Sequence, residues 1–254
     1  MQTTISFLRY LTVSFLLTQG TIVACCRSPD TAYKLNDFIQ TVPEISSKRI
    51  VTLPLDLEYQ ESITTLSNEV KSKLNRVDVL FNVAGILGDG KTVPGPERSI
   101  RSIDRNWAVK SMNVNFLGPL MMSQALSPLM RSKNVKLEDG TFRPHSVICN
   151  ISARVGSISD NGLGGWYSYR SSKAALNQAT RTMSHELKRQ GTLALCLHPG
   201  TTDTDLSQPF QTNVKEGRLF PVGFTAGRMI EAVECMTELH SGGLYDWSGK
   251  ALPF

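Results

Sequence analysis

Tyr169 and Lys173 stand four residues apart in Tyr169-Arg-Ser-Ser-Lys173. On a helix, positions i and i+4 share a face, so the phenol and the ammonium lie side by side. A cation beside a phenol favours phenolate and lowers its pKa. That makes Tyr169 a candidate proton relay near neutral pH. Alone, this spacing occurs by chance on many surface helices. Here it has company: Asn82-Val-Ala84-Gly85 follows a strand-like run, and Asn115-Phe-Leu-Gly118 follows a helical turn. Asn150-Ile-Ser152 ends a strand just upstream, and Pro199-Gly200-Thr-Thr202-Asp-Thr204 follows the next strand.

Such residues need elements to hold them. Gly20–Cys26 reads as a strand with its basic end at Arg27, Ile50–Pro54 as a second, ended by Leu55-Asp56-Leu57, and Val77–Asn82 as a third. Tyr59–Leu74 has helical periodicity through Ile63, Leu66, Val70 and Leu74, and Asp104–Met130 carries one long helical pattern. Ser146–Ile151 is a strand, Ser168–Arg189 a helix, Leu193–Leu197 a strand, Gly223–Glu238 a helix and Gly243–Trp247 a last short strand. Residues 88–102 and 132–144 read as loops. This alternation predicts α/β architecture, a doubly wound parallel sheet in one domain spanning residues 1–254. Ligands of such sheets bind beyond the carboxyl ends of the strands. Arg27, Asp56, Asn82, Ser152 and Pro199 all fall there.

With 41% hydrophobic and 19% charged residues, the composition is that of an ordinary globular protein. The net charge of +5 comes without long basic runs or interleaved aromatics, which argues against nucleic acid as a partner. The cysteines Cys25, Cys26, Cys149, Cys196 and Cys235 read as buried free thiols in a reducing compartment, with Cys25 and Cys26 on opposite faces of a strand. His145, His185, His198 and His240 are scattered, with no metal-ligand spacing. Residues 7–17 are apolar but too short to span a membrane. An amphipathic helix, with Leu8, Leu11, Phe15 and Leu16 on one face, is favoured there over a signal-peptide core.

The motifs and their order resemble the short-chain dehydrogenase/reductase family over about residues 20 to 254. The stretch Ser152-Ala-Arg-Val-Gly-Ser-Ile-Ser-Asp-Asn161, with Gly-Gly-Trp-Tyr-Ser-Tyr169 after it, is similar to the carbonyl-reductase and C-factor-like branch. The resemblance implies a Rossmann-like fold and an oxidoreductase that reduces a carbonyl, or oxidises an alcohol, by hydride transfer. It implies Tyr169 as proton donor, Lys173 on the nicotinamide ribose, Asn115 holding a water, and Ser152 as a catalytic hydroxyl. Asn82, Ala84, Gly85, Pro199, Gly200, Thr202 and Thr204 would border the cofactor, and Asp56 would lie beside its adenine. Arg27 resembles the basic residue that favours the 2′-phosphate, so NADP is expected over NAD, with no metal. A small-molecule substrate, a cytoplasmic location rather than an organellar or secreted one, and an open question of homodimerisation complete the expectation.

Two positions depart from the family pattern. Ala153 aligns with the catalytic serine, and Ser152, one residue off on an extended backbone, faces the other way. Ser157 and Ser159 are the substitutes within reach. The family's Gly-x-x-x-Gly-x-Gly turn, which brings backbone N–H groups to the pyrophosphate, has no counterpart, since no glycine precedes Gly20. Residues 1–19 then replace the first strand and the glycine loop, residues 5–18 are expected to be mainly helical, and the chain reads as N-terminally truncated. The competing function is a non-catalytic or impaired relative that keeps the fold for binding or signalling.

Overall fold

Ile22-Val-Ala-Cys-Cys26 forms β1 and sends alternate side chains to two apolar clusters. Ile22, Ala24 and Cys26 pack with Ala32 and Leu35. Val23 and Cys25 pack with Leu53, Ile63, Leu66 and Val70. The two adjacent cysteines therefore face opposite ways. The structure is a computed structural model that describes residues 20–41, 48–88, 95–133, 136, 140 and 145–254. The expectations for residues 1–19, and most of the 132–144 loop, lie outside the described residues.

The other strands are β2 (Ile50–Pro54), β3 (Val79–Asn82), β4 (Ser146–Ile151), β5 (Thr192–His198), β6 (Thr201–Thr202), β7 (Leu219–Phe220), β8 (Leu244–Asp246) and β9 (Ala251–Leu252). The helices are α1 (Tyr33–Thr41), α2 (Gln60–Lys73), α3 (Arg105–Met112), α4 (Gly118–Leu126), α5 (Tyr167–Leu187) and α6 (Val222–Glu234). β1 pairs in parallel with β2, while β3, β4, β5 and β8 form a parallel sheet extended by antiparallel β9. Among the described residues, no strand joins the second edge of β1 or of β3. The two sheets share an apolar layer nonetheless, for Val23, Cys25 and Val51 pack on the cluster that Leu80 and Val77 also meet.

β4 and β5 are buried on both faces, as the centre of a parallel sheet requires. Val147, Cys149, Ile151, Leu195 and Leu197 meet Ala226, Met229, Ile230 and Val233 of α6. Ile148 and Ala194 meet Met130 and Met183 on the other side. On that face buried polar groups are linked: Asn82 Nδ2 donates to Asn150 Oδ1 at 2.8 Å, Asn150 Nδ2 to Thr180 Oγ1 at 2.8 Å, and Cys196 Sγ to Thr180 Oγ1 at 3.2 Å. This network satisfies donors that would otherwise cost free energy in the core.

The structure corrects the sequence reading on three points. The long helical pattern of residues 104–130 is broken by a π-helical turn, Asn113–Leu117, between α3 and α4. Helix α1 and the small strands β6, β7 and β9 had no periodic signal. All five cysteines are free, but only Cys149 and Cys196 are buried; Cys25 and Cys26 are half-buried and Cys235 is exposed. No helix among the described residues is long and apolar enough to cross a membrane.

Candidate active site

A cavity of about 1210 Å³ opens at the carboxyl ends of the strands. It runs from Arg27 and Asp56, past Ala84, Gly85 and Lys173, to Tyr169, Trp166 and Phe210. Its size is above the usual range for one small ligand.

Tyr169 and Lys173 stand one turn apart in α5, and both line this cavity. Lys173 is buried, and its Nζ donates to Ile151 O at 2.7 Å. It lies 5.7 Å from the centroid of the Tyr169 ring. An ammonium has three N–H groups, so two remain for the cavity. Gly156 lets the loop after β4 settle onto the helix here, since a Cβ would come within 2.8 Å of Lys173 Cβ. The expected depression of the Tyr169 pKa is not found. Burial pushes the phenol up to about 12 and pushes the Lys173 ammonium down to about 8. Loss of hydration outweighs attraction at this separation, and the phenol keeps its proton at neutral pH.

Asn115 sits in the π-helical turn, fully buried. Its Oδ1 accepts from Ile86 N at 2.8 Å, and its Nδ2 donates to Ile86 O at 2.9 Å and Ser172 Oγ at 3.1 Å. The side chain thus ties the segment after β3 to α5. Four residues on, Pro119 has no N–H, so the Asn115 carbonyl loses its α-helical donor. Gly85 completes the group: a Cβ there would sit 3.5 Å from Asn115 Oδ1 and 3.6 Å from Lys173 Nζ.

Other residues from the sequence divide. Ser152 borders the cavity, but its Oγ donates to Asn177 Oδ1 at 2.6 Å. Ala153 follows with an extended backbone and no hydroxyl. Ser157 accepts from Asp160 N at 3.1 Å, and Ser159 bonds the Phe254 carbonyl. Asn82 does not reach the cavity; strand alternation turns it inward to Asn150, Pro119 and Ser123. Ala84, Pro199, Gly200, Thr202 and Thr204 line the cavity. The side chain of Thr204 does not cap a helix; its carbonyl accepts from Ser207 N and Gln208 N. Asp56 Oδ1 accepts from Glu58 N at 3.0 Å, a turn role, while the residue also faces the cavity. Arg27 is exposed at its rim, with no ion pair to another described residue.

Three features lie outside the site residues that the sequence singled out. Buried Glu97 accepts from Ser168 N at 3.3 Å and from Ser168 Oγ, while its carbonyl accepts from Trp166 N at 2.5 Å. It anchors the start of α5 one residue before Tyr169. Trp166, in a left-handed conformation (φ 57°), packs on Phe210 with ring centroids 5.3 Å apart and makes an aromatic wall. His198, at the end of β5, also lines the cavity. Glu97 lies 72 residues from Tyr169 in sequence, so only the tertiary fold reveals it.

The profile of the short chain dehydrogenases matches residues 10–215. The C-signal protein of Myxococcus xanthus is 32% identical over 178 residues, 70% of this chain and 93% of that protein. A 1-hydroxy-2-glutathionyl-2-methyl-3-butene dehydrogenase of a Rhodococcus species is 33% identical over 198 residues, 78% of this chain and 77% of that one. Among solved structures, NADPH-bound carbonyl reductase from chicken fatty liver superposes with a TM-score of 0.79 at 26% identity, covering 98% of this chain and 93% of its own. The carbonyl reductase Sniffer of Drosophila melanogaster gives 0.78 at 25%, covering 96% and 93%. The chain belongs to the short-chain dehydrogenases, a family of oxidoreductases.

Proposed function

We propose that this chain reduces a small carbonyl compound with NADPH. The observation that carries the reading is the meeting of Tyr169, Lys173 and Gly85 in one cavity at the strand ends, with buried Asn115 packed behind Gly85. The residues fit a nicotinamide dinucleotide in two places. Lys173 keeps two N–H groups for ribose hydroxyls beside the opening left by Gly85. Arg27 offers an exposed guanidinium at the far end, suited to a phosphate. The chicken relative was solved with NADPH bound, which favours the same cofactor here. Residues 1–19, which hold no glycine, lie outside the described residues.

When bound, the cofactor supplies the hydride. Tyr169, protonated at neutral pH, gives its proton to the carbonyl oxygen. Lys173 orients the ribose, and the Asn115 carbonyl holds a water that returns the proton. Ala84, Pro199, Gly200, Thr202 and Thr204 shape the wall beside the nicotinamide, and Asp56 the adenine end. Trp166 and Phe210 wall the substrate end. The free cysteines suit a reducing compartment such as the cytoplasm.

One observation favours the second reading, a fold kept for binding without turnover: the strand end offers no uncommitted serine hydroxyl, with Ser152 given to Asn177. Calorimetry with NADPH, followed by loss of 340 nm absorbance with a panel of aldehydes and ketones, separates the two. The reductase reading expects binding and turnover, with a dissociation constant above about 1 μM because no glycine precedes Gly20. Absence of NADPH binding at millimolar concentration sinks it.

A further inference from the structure

Trp166 precedes α5 with φ 57° and ψ 39°, and among the described residues it alone, other than glycines, has a positive φ. Gly164 and Gly165 before it each have φ 66°, so three successive residues share the left-handed sign. A side chain in that region crowds its own backbone, and glycine is the usual occupant. The turn itself does not ask for tryptophan. Its backbone N–H donates to Glu97 O at 2.5 Å and its carbonyl accepts from Arg170 N at 2.8 Å, bonds that a glycine would make equally well. Strain kept where a cheaper residue would serve, on the wall of a cavity, points to a use for the side chain.

The place of the ring names that use. Its centroid lies 6.3 Å from that of Tyr169, nearly edge to face at 72°, and 5.3 Å from that of Phe210. All three residues line the cavity. Lys173 and Gly85 take the cofactor's side of the phenol, so a carbonyl bonded to Tyr169 has its substituents beside Trp166 and Phe210. The wall continues in Leu206 and in Leu163, whose side chain is almost wholly exposed at the same cavity. The cations at this end are engaged: Arg154 pairs with Asp160, and Arg170 donates to Gly165 O at 3.0 Å and Val155 O at 3.1 Å.

We propose that Trp166, together with Phe210, selects carbonyl compounds that carry a flat aromatic ring: aryl aldehydes and aryl ketones. This rests on the carbonyl-reductase reading above. Aromatic rings attract one another through offset and edge-to-face contacts at centroid distances of about 4.5–7 Å. A third ring beside the Trp166–Phe210 pair gains those contacts. A puckered aliphatic ring of similar size gains burial without them. Trp166 is thus a specificity residue, and Tyr169 and Lys173 keep their roles.

The test uses the full chain and two aldehydes of similar size, benzaldehyde and cyclohexanecarbaldehyde, each with NADPH. Glycine and asparagine both accept the left-handed backbone, so Trp166→Gly and Trp166→Asn should fold with melting temperatures near the parent's. Both should lower the ratio of kcat/KM for benzaldehyde over cyclohexanecarbaldehyde on the order of 5-fold, mainly through KM. Trp166→Phe should keep most of the preference. An unchanged ratio in the Gly and Asn variants overturns the proposal, and a large fall in their melting temperature alongside it would show that the ring serves packing. A second measurement reads the contact without turnover. The ¹⁵N-labelled chain has three indole N–H signals, from Trp107, Trp166 and Trp247, and Trp166→Gly identifies the one that belongs to Trp166. With NADPH present, which cannot oxidise an alcohol, benzyl alcohol should move that signal and cyclohexylmethanol should move it less. A Trp166 signal that stays in place, or moves equally with both, overturns the proposal whatever the turnover. A signal that moves selectively in a parent that reduces neither aldehyde supports the aromatic wall and sinks the reductase reading alone.

Discussion

Ser152 Oγ donates to Asn177 Oδ1 at 2.6 Å, from the end of β4 to the helix that carries Tyr169 and Lys173. Asn177 Nδ2 in turn donates to Gly156 O at 3.3 Å. The pair braces the loop after β4 against α5. Ser152→Ala leaves a buried amide oxygen without its donor, at a cost of about 1–3 kcal/mol. In a domain of this size, each kcal/mol lowers the melting temperature by about 2–4 °C. The variant should therefore lose more in melting temperature than in turnover, while Ala153→Ser should raise turnover. Turnover abolished in Ser152→Ala at an unchanged melting temperature would make Ser152 the catalytic hydroxyl after all.

Tyr169 and Lys173 are shifted by burial in ways that pH can read. Lys173 titrates at about 8 in the fold, below its ordinary 10.5. Between those values the unfolded chain binds a proton that the folded chain has released, so stability rises with pH through that window. Tyr169, raised from 10.0 to about 12, acts oppositely: the folded chain keeps a proton the unfolded one has lost, and stability falls from pH 10 to 12. Urea midpoints across pH 7–12 should show the rise in the parent and lose it in Lys173→Met. Carbonyl reduction should decline as pH passes about 8, where Lys173 loses its charge. Tyr169→Phe should remove nearly all turnover while keeping NADPH binding, and Lys173→Ala should damage both. Substantial turnover in Tyr169→Phe would place the proton donor elsewhere.

The central strands β4 and β5 were legible because they are buried on both faces and read as apolar runs bounded by polar turns; Ser146–Ile151 has the same limits in sequence and structure. Tyr169 and Lys173 were legible because helical spacing puts them together and because Asn82-Val-Ala84-Gly85, Asn115 and Pro199-Gly200 accompany them in order. The π-helical turn at Asn113–Leu117 was not, since it leaves the apolar pattern of residues 104–130 unbroken. Asn82 was misplaced for a related reason: the end of a strand marks a cavity, but alternation decides which side chain enters it, and Asn82 turns to Asn150. The sign of the Tyr169 shift failed because spacing reports a neighbouring charge and not the loss of water around both groups.

Arg27 gives a test of cofactor choice. It follows β1 at the cavity rim, and no described residue pairs with it. A guanidinium can meet a phosphate through two parallel N–H bonds. NADPH should bind more tightly than NADH, and Arg27→Ala should narrow the difference by weakening NADPH alone. Fluorescence titration with both cofactors reads this directly. Equal affinities in the parent, or a parallel loss for both cofactors in the variant, would remove Arg27 from phosphate recognition.

Glu97 gives the last test, because it acts on Tyr169 without touching the cavity's chemistry. Its carboxylate accepts from the backbone N–H and the hydroxyl of Ser168, in the first turn of α5. A carboxylate there satisfies orphan N–H groups and meets the positive end of the helix dipole. The same residue takes the Trp166 N–H on its own carbonyl, so one position fixes both the aromatic wall and the helix start. Glu97→Ala keeps the backbone contact and removes the carboxylate. It should cost about 1–2 kcal/mol in stability and lower kcat several-fold by loosening Tyr169. KM should change little, because Trp166 and Phe210 keep their packing. Glu97→Gln, which can still accept from Ser168, should restore most of kcat. If Glu97→Ala instead raises KM at constant kcat, Glu97 governs the substrate wall and not the orientation of Tyr169.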